Sequence, residues 1–168
     1  MSNGRKLEPE EIAFTQSLHS VFLAAEAEDM SFEEEVREYR RIEAEFVQRA
    51  GDDEWDVLET NRRITEWILG RALDHVEPME VCREIWEEML QRGFSHLERR
   101  YTMSGIYARC CQMNGAFDEG LAITEPLITE IEQVLDGTTL TPEMRFDCKE
   151  LLRIHSKIRD ELKAGIRE

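Results

Sequence analysis

Apolar residues along this chain return every three or four positions, and nowhere do four or more β-branched or aromatic residues alternate as a strand requires. The pattern is plainest in the second helix. Phe32, Val36, Tyr39, Ile42, Phe46 and Val47 gather near one face at helical period, and Glu and Arg fill the rest. Ser31 and Glu34 ahead of them form a capping box, in which each satisfies the other's free backbone N–H. A helix to about Ala50 follows, closed by Gly51. Before it, Pro9 suits the first turn of a helix reaching about Asp29, with Ile12, Leu18, Val21, Phe22 and Ala25 as inward candidates. A third helix after Asp52-Asp53 carries Trp55, Leu58, Ile64, Ile68, Leu69 and Leu73.

His75-Val76-Glu77 interrupts the period, and Pro78 opens a fourth helix bearing Cys82, Ile85, Trp86, Met89 and Leu90, stopped at Gly93. Ser95 and Glu98 have the spacing of a second capping box, so a fifth helix is expected to run from there to a left-handed cap at Asn114-Gly115. A sixth spans Phe117 to Leu135 with Pro126 inside it, where a bend is expected. Thr141-Pro142 then caps and opens a seventh that ends near Gly165. The expected fold is one all-α domain over 1–168 with about seven helices. Its hairpins cover about 9–50, 53–92 and 95–135, and a C-terminal capping helix covers 142–164. Short connections make neighbours antiparallel, in either a bundle or a stack of hairpins.

Gly115, Phe117, Gly120, Leu121 and Leu127 resemble the second-helix opening of a tetratricopeptide (TPR) repeat, and Ala108, seven residues before Gly115, falls where that repeat places a small residue. Leu69-Gly70-x-x-Leu73 is similar to the first-helix signature, and Cys82, Trp86 and Met89 follow at the small, aromatic and small positions of the second. Small residues at such crossings let the large ones interlock around them, so Gly70, Ala108 and Gly120 are expected to be tightly packed. The counterparts Cys82 and Gly120 lie 120 − 82 = 38 residues apart where the family has 34. Leu73 and Cys111 stand where it has an aromatic, and the closing proline is absent. In the N-terminal hairpin Phe32 and Tyr39 fit, but Glu35 occupies a small position. The resemblance covers about 65–135. It implies a short right-handed superhelix of TPR-like hairpins whose concave face, lined by first helices, holds a peptide or protein in adaptor, chaperone or regulatory roles.

Composition narrows the partners. Thirty-seven acidic against 21 basic residues give a formal charge of −16, which repels nucleic-acid phosphates and anionic membranes and favours a basic partner. The excess is concentrated early: residues 1–60 hold 17 acids and 6 bases, a net of −11, and the remaining residues hold 20 and 15, a net of −5. No apolar run follows the basic pair Arg5-Lys6, so no secretion signal or membrane span is expected and the cytoplasm is the expected compartment. Cys82, Cys110, Cys111 and Cys148 form no C-x-x-C pair and are expected to be buried thiols.

Catalytic and metal chemistry find little footing. The residues three before His19, His75, His96 and His155 are Gln16, Ala72, Gly93 and Leu152, so no Glu-x-x-His di-metal motif exists. Zinc-finger, EF-hand and phosphate-loop spacings are absent as well. Cys148 and His155 would stand about 10 Å apart along one helix, too far for proton transfer. The expectation is a non-enzymatic protein-interaction module with no cofactor, metal or nucleic acid. The alternative is a structural or self-assembling helical bundle, and a homo-oligomer fits either. What the resemblance implies for binding falls on first-helix residues: Arg62, Arg63 and Glu66 on one helix, and Arg99, Arg100, Met103, Tyr107 and Gln112 on the next. The two arginine pairs could clamp a carboxylate bidentately, or they could simply pair with Glu59, Glu66 and Glu98. Trp86, Tyr107 and Tyr39 are the aromatic candidates for buried contacts.

Overall fold

The computed structural model describes residues 9–167. These form seven helices and no strand: α1 (Pro9–Glu28), α2 (Phe32–Ala50), α3 (Glu54–Asp74), α4 (Met79–Arg92), α5 (Leu97–Met113), α6 (Phe117–Asp136) and α7 (Pro142–Lys163). The expected all-α class and helix count are present. The Met1–Glu8 stretch examined for a leader lies outside the described residues. No helix among the described residues is long and apolar enough to cross a membrane.

The start signals work in two of three cases. Ser31 Oγ accepts the Glu34 N–H at 3.3 Å while Glu34 Oε2 accepts the Ser31 N–H at 2.9 Å, closing the capping box of α2. Thr141 caps α7 by accepting the Met144 N–H at 3.2 Å, one residue ahead of Pro142. The box expected at Ser95 does not form. α5 begins one residue later with His96 as its cap, and the serine hydroxyl meets the His96 ring instead. Pro78 likewise precedes the fourth helix as its cap residue and not as its first turn.

Helix ends alternate in kind. Each odd-numbered helix finishes in a Schellman motif, with a left-handed residue flanked by two reaching-back N–H groups. The wide bond runs from Met30 to Ala25, from Glu77 to Ala72, from Ala116 to Cys111 and from Ile166 to Glu161. The left-handed residues are Asp29, Val76, Gly115 and Gly165. Val76 is the costly one, since a β-branched side chain crowds the following carbonyl at φ 55°.

Packing follows the same alternation. α3 packs closely on α2, α4 and α5, and α5 on α4, α6 and α7. No two of α2, α4 and α6 bring Cα atoms within 8 Å, and they meet only through long side chains such as Arg40 with Glu88 and Arg83 with Glu119. The odd helices therefore make one layer and the even helices another. The main core lies between them, built from residues such as Leu18, Tyr39, Ile64, Ile68, Leu69, Met89 and Cys111. Phe14, which the periodicity of α1 did not single out, takes an inward place, and Ile12 is exposed.

The three expected packing positions divide. Ala108 is fully buried, and a Cβ on Gly120 would stand 2.9 Å from Leu162 and 3.2 Å from Cys111. Gly70 is a correction: nothing lies within 4 Å of the Cβ it lacks. The small residue there faces open space, because no helix crosses above it. Thermal or urea unfolding should separate the three sites. Ala108→Leu and Gly120→Leu overpack the crossing and should lose about 1–3 kcal/mol, and Gly70→Ala should gain about 0.5–1 kcal/mol through helix propensity alone.

Candidate functional site

One inner-layer neighbour is missing: α1 and α3 have no Cα atoms within 8 Å of each other, although α3 and α5 do. The gap is a valley with α3 as floor and α1 and α5 as walls. A single stripe of α3 runs its length, from Asp56 through Glu59, Arg63, Glu66 and Gly70 to Asp74, at the three- and four-residue spacing of one helix face. At the N-terminal end of the helices the valley widens to a cleft of about 710 Å³ bordered by Glu10, Phe14, Trp55, Asp56 and Glu59. Farther along it becomes a groove of about 420 Å³ whose apolar lining comes from Phe22, Trp67, Leu73, Met103 and Ile106, with Gly70 in its floor. Arg63 belongs to both and marks the junction. Its guanidinium lies 4.6 Å over the Phe14 ring and donates to Thr15 Oγ1 at 2.8 Å. Burial lowers its pKa from the usual arginine value.

A charged cluster beneath the far end holds this floor in place. Glu35 of α2 has no solvent exposure, yet its carboxylate fills every acceptor position. Oε1 accepts from Tyr39 OH and Arg71 Nε, each at 2.5 Å, and Oε2 accepts from Arg71 at 3.2 Å and His75 Nε2 at 2.6 Å. Arg71 also donates to Glu26 of α1 at 2.7 Å and to Asp74 at 2.8 Å, and it stacks over Phe22 at 4.7 Å. Burial alone would raise the Glu35 pKa, but the hydrogen bonds from Arg71, Tyr39 and His75 together outweigh it and hold the carboxyl below its ordinary range. Tyr39, buried beside that carboxylate, has its phenol pushed well up. Its ring meets Trp67 edge-on at 6.2 Å, which joins the cluster to the groove wall.

Of the residues singled out from sequence, Arg63, Glu66, Arg99 and Met103 come together in the groove. Glu66 is 5 % exposed, and Arg99 donates twice to its Oε2, from Nε at 2.9 Å and from a terminal nitrogen. Oε1 of Glu66 accepts no hydrogen bond from the described residues. Arg62 and Arg100 turn away. Arg62 pairs with Glu59 at 2.8 Å and caps the Arg92 carbonyl at 3.0 Å, and Arg100 pairs with Glu130 of α6. The four arginines therefore do not converge. Tyr107 is 2 % exposed, stacked on Trp86 at 4.7 Å with its hydroxyl on Glu119, so both aromatics serve the α4–α5 core, as Tyr39 serves that of α2–α3. Gln112 is also buried and holds the Ile166 carbonyl at 3.1 Å.

Sequence reasoning passed over Glu35, Arg71, Trp55 and Trp67 as site residues. A signal for Glu35 existed, since 35, 39, 42 and 46 form one helical stripe and the last three are apolar and buried.

The histidines and thiols meet in no catalytic arrangement among the described residues. Buried His155 donates from Nε2 to the Tyr101 carbonyl at 3.0 Å and faces Gly105, and burial lowers its pKa. The four cysteines are free thiols, three buried and Cys148 half-buried. No group of three or more His, Cys, Asp or Glu gathers in a metal-holding arrangement among the described residues. Comparison with protein-family models, curated proteins and solved structures finds no match to the chain.

The cluster predicts an acid response. The depressed Glu35 pKa adds stability that is fully present above the ordinary carboxylate range and is lost as pH falls through the lower folded-state value. Glu35→Gln should flatten the acid limb of a stability-versus-pH curve measured by urea unfolding. Glu35→Ala at neutral pH should lose about 3 kcal/mol, the low end for a broken buried pair, because Arg71 keeps Glu26 and Asp74.

Proposed function

We propose that this chain is a non-enzymatic interaction module, a short TPR-like stack of helical hairpins that holds a segment of another protein in the valley between α1, α3 and α5. Two backbone features support the repeat reading: the two-layer alternation of odd and even helices, and the same Schellman termination at the end of all four odd ones. In such a stack the odd helices are the first helices of each hairpin; α1, α3 and α5 border the groove, and the C-terminal end of α2 joins α1 and α3 around the wide cleft.

The observation that carries the binding reading is Gly70. A glycine inside a helix costs about 0.5–1 kcal/mol relative to alanine. That cost is usually offset by a close packing contact, and none exists here. What the missing side chain does is keep the groove floor low. Around it the apolar lining comes with a polar rim, and Glu66 keeps one oxygen available to a ligand N–H while Arg63 and Arg99 stand beside it. This is the composition of a peptide groove, in which apolar pockets supply affinity and a few polar groups fix register.

Gly70→Trp and Gly70→Leu test this directly, because a Cβ at Gly70 meets nothing within 4 Å and a larger side chain there extends into the groove. Peptides selected from a random displayed library on the wild-type protein should bind the Gly70→Trp variant at least about tenfold more weakly, a difference of about 1.4 kcal/mol, while thermal unfolding shows the variant as stable as wild type. Selected peptides that bind both proteins equally would overturn the groove as the site.

A second reading, self-association, is favoured by α7, whose packing partners are α5 and α6 and which leaves Met144, Phe146 and Ile154 exposed. Light scattering across concentration distinguishes it. Under this reading wild type dimerises and Phe146→Glu does not; under the interaction-module reading both remain monomeric.

A further inference from the structure

We propose that the segment held in the valley is extended and carries a lysine or arginine about five residues from a large apolar side chain, the basic residue seated in the wide cleft and the apolar one over Gly70. The inference rests on the interaction-module reading and adds the chemistry of the ligand to it.

The wide cleft is built for a cation. Trp55 stands at its mouth, 62 % exposed, its indole with no aromatic or cationic partner among the described residues. Asp56 adjoins it, and the acidic border continues through Glu11, through Glu10, 3.9 Å from Arg49, and through Glu59, which is paired with Arg62. The two arginines in the cleft are already engaged, Arg49 over the Phe46 ring at 4.6 Å and Arg63 over Phe14. The helix N-termini that open here would favour an anion, but their own first turns answer them, with Glu10 and Glu11 on α1 and Glu54 and Asp56 on α3. What remains for a ligand is an open indole face among carboxylates, the setting in which a lysine or arginine side chain gains cation–π and Coulomb attraction together.

The second observation lies farther along the same stripe. Glu66, nearly buried, offers Oε1, which has no donor upon it among the described residues, to whatever lies in the groove. A helical ligand satisfies its own backbone and would leave this acceptor and the flanking Arg63 and Arg99 without use. An extended strand brings N–H and C=O groups to them.

The spacing follows from α3. A basic side chain reaches across about one helical turn, so its charged head meets Trp55 and Asp56 from a Cα opposite Glu59. From Glu59 to Gly70 is 70 − 59 = 11 residues, about 16 Å at the helical rise of about 1.5 Å. An extended chain covers that in about five residues at roughly 3.3 Å each.

The experiment uses fluorescein-labelled synthetic peptides with one arginine and one phenylalanine in a serine–threonine background. The two are set two to twelve residues apart in both orders, and binding is read by fluorescence anisotropy at low salt. Affinity is expected to peak at a separation of four to six in one order. At that separation it should fall about tenfold when the arginine becomes glutamine, fall by a similar factor in Trp55→Ala/Asp56→Asn, and weaken as salt rises. Both substituted side chains are exposed, and circular dichroism should show the variant folded. Gly70→Trp, or Gly70→Leu if the larger residue perturbs the fold, should abolish binding. Peptides that bind in a Gly70-dependent way but ignore the arginine and the Trp55→Ala/Asp56→Asn change overturn the cation site and leave the groove standing. A peak near eleven overturns the extended conformation. Absence of any Gly70-dependent binding, by these peptides and by library-selected ones, overturns the reading beneath.

Discussion

Glu35 and Arg71 form the contact on which the valley depends. A carboxylate removed from water costs several kcal/mol unless its charge and all its lone pairs are met, and here a guanidinium, a phenol and an imidazole meet them. The same guanidinium then reaches Glu26 on α1, so one arginine fastens the outer helix α2, the floor helix α3 and the wall helix α1. Tyr39 passes the constraint to Trp67, and Arg71 passes it to Phe22 by stacking. Groups that line the groove are thus held from below. A hydrophobic substitute of similar volume could match its stability but would not fix the separation of α1 from α3 with the same directionality.

That separation is what opens a groove in an ordinary two-layer helical packing. Where α3 meets α5 their backbones are close, and buried residues of both, Ile68 and Met103 among them, belong to the main core. Where α1 lies beside α3, no Cα atoms come within 8 Å, and Arg63 reaches Phe14 and Thr15 while Arg71 reaches Glu26 across the gap. The result is a channel with charged posts across it instead of a sealed core. Part of the acidic excess of residues 1–60 lies here, since Glu10, Glu11, Asp56 and Glu59 border the open end of the channel together with Arg49 and Arg63. Net charge alone describes solubility and long-range attraction; the cleft concentrates it beside an exposed indole.

Charge pairs divide into two kinds. Arg37–Glu33, Arg41–Glu38 and Arg153–Glu150 are exposed single-helix pairs that add little to stability. Arg99–Glu66, Arg40–Glu88 and Arg109–Glu161 join different helices and set which faces meet. In Arg99–Glu66 both hydrogen bonds fall on Oε2, so the guanidinium meets the charge of the buried carboxylate through one oxygen.

The sequence by itself determined the local order: seven helices, their ends to within a residue or two, and most of the core face of each. These follow from period, caps and glycines, which act within a few residues of one another. It also contained a warning about the arginine pairs. Consecutive residues on a helix point about 100° apart, so Arg62 and Arg63, or Arg99 and Arg100, could not share one surface, and the fold sends one of each pair to the groove and the other to Arg92 or Glu130. Only tertiary structure decided what lies opposite each face. Gly70 and Gly120 read alike as small residues at a crossing, yet Leu162 presses on one and nothing covers the other, because neighbours in space come from distant parts of the chain. Glu35 read as a misplaced acid in a small position until Arg71, 36 residues away, was seen to meet it. A helix pattern records that a face is apolar, small or charged; the opposing helix decides whether that face becomes a core, an ion pair or a groove.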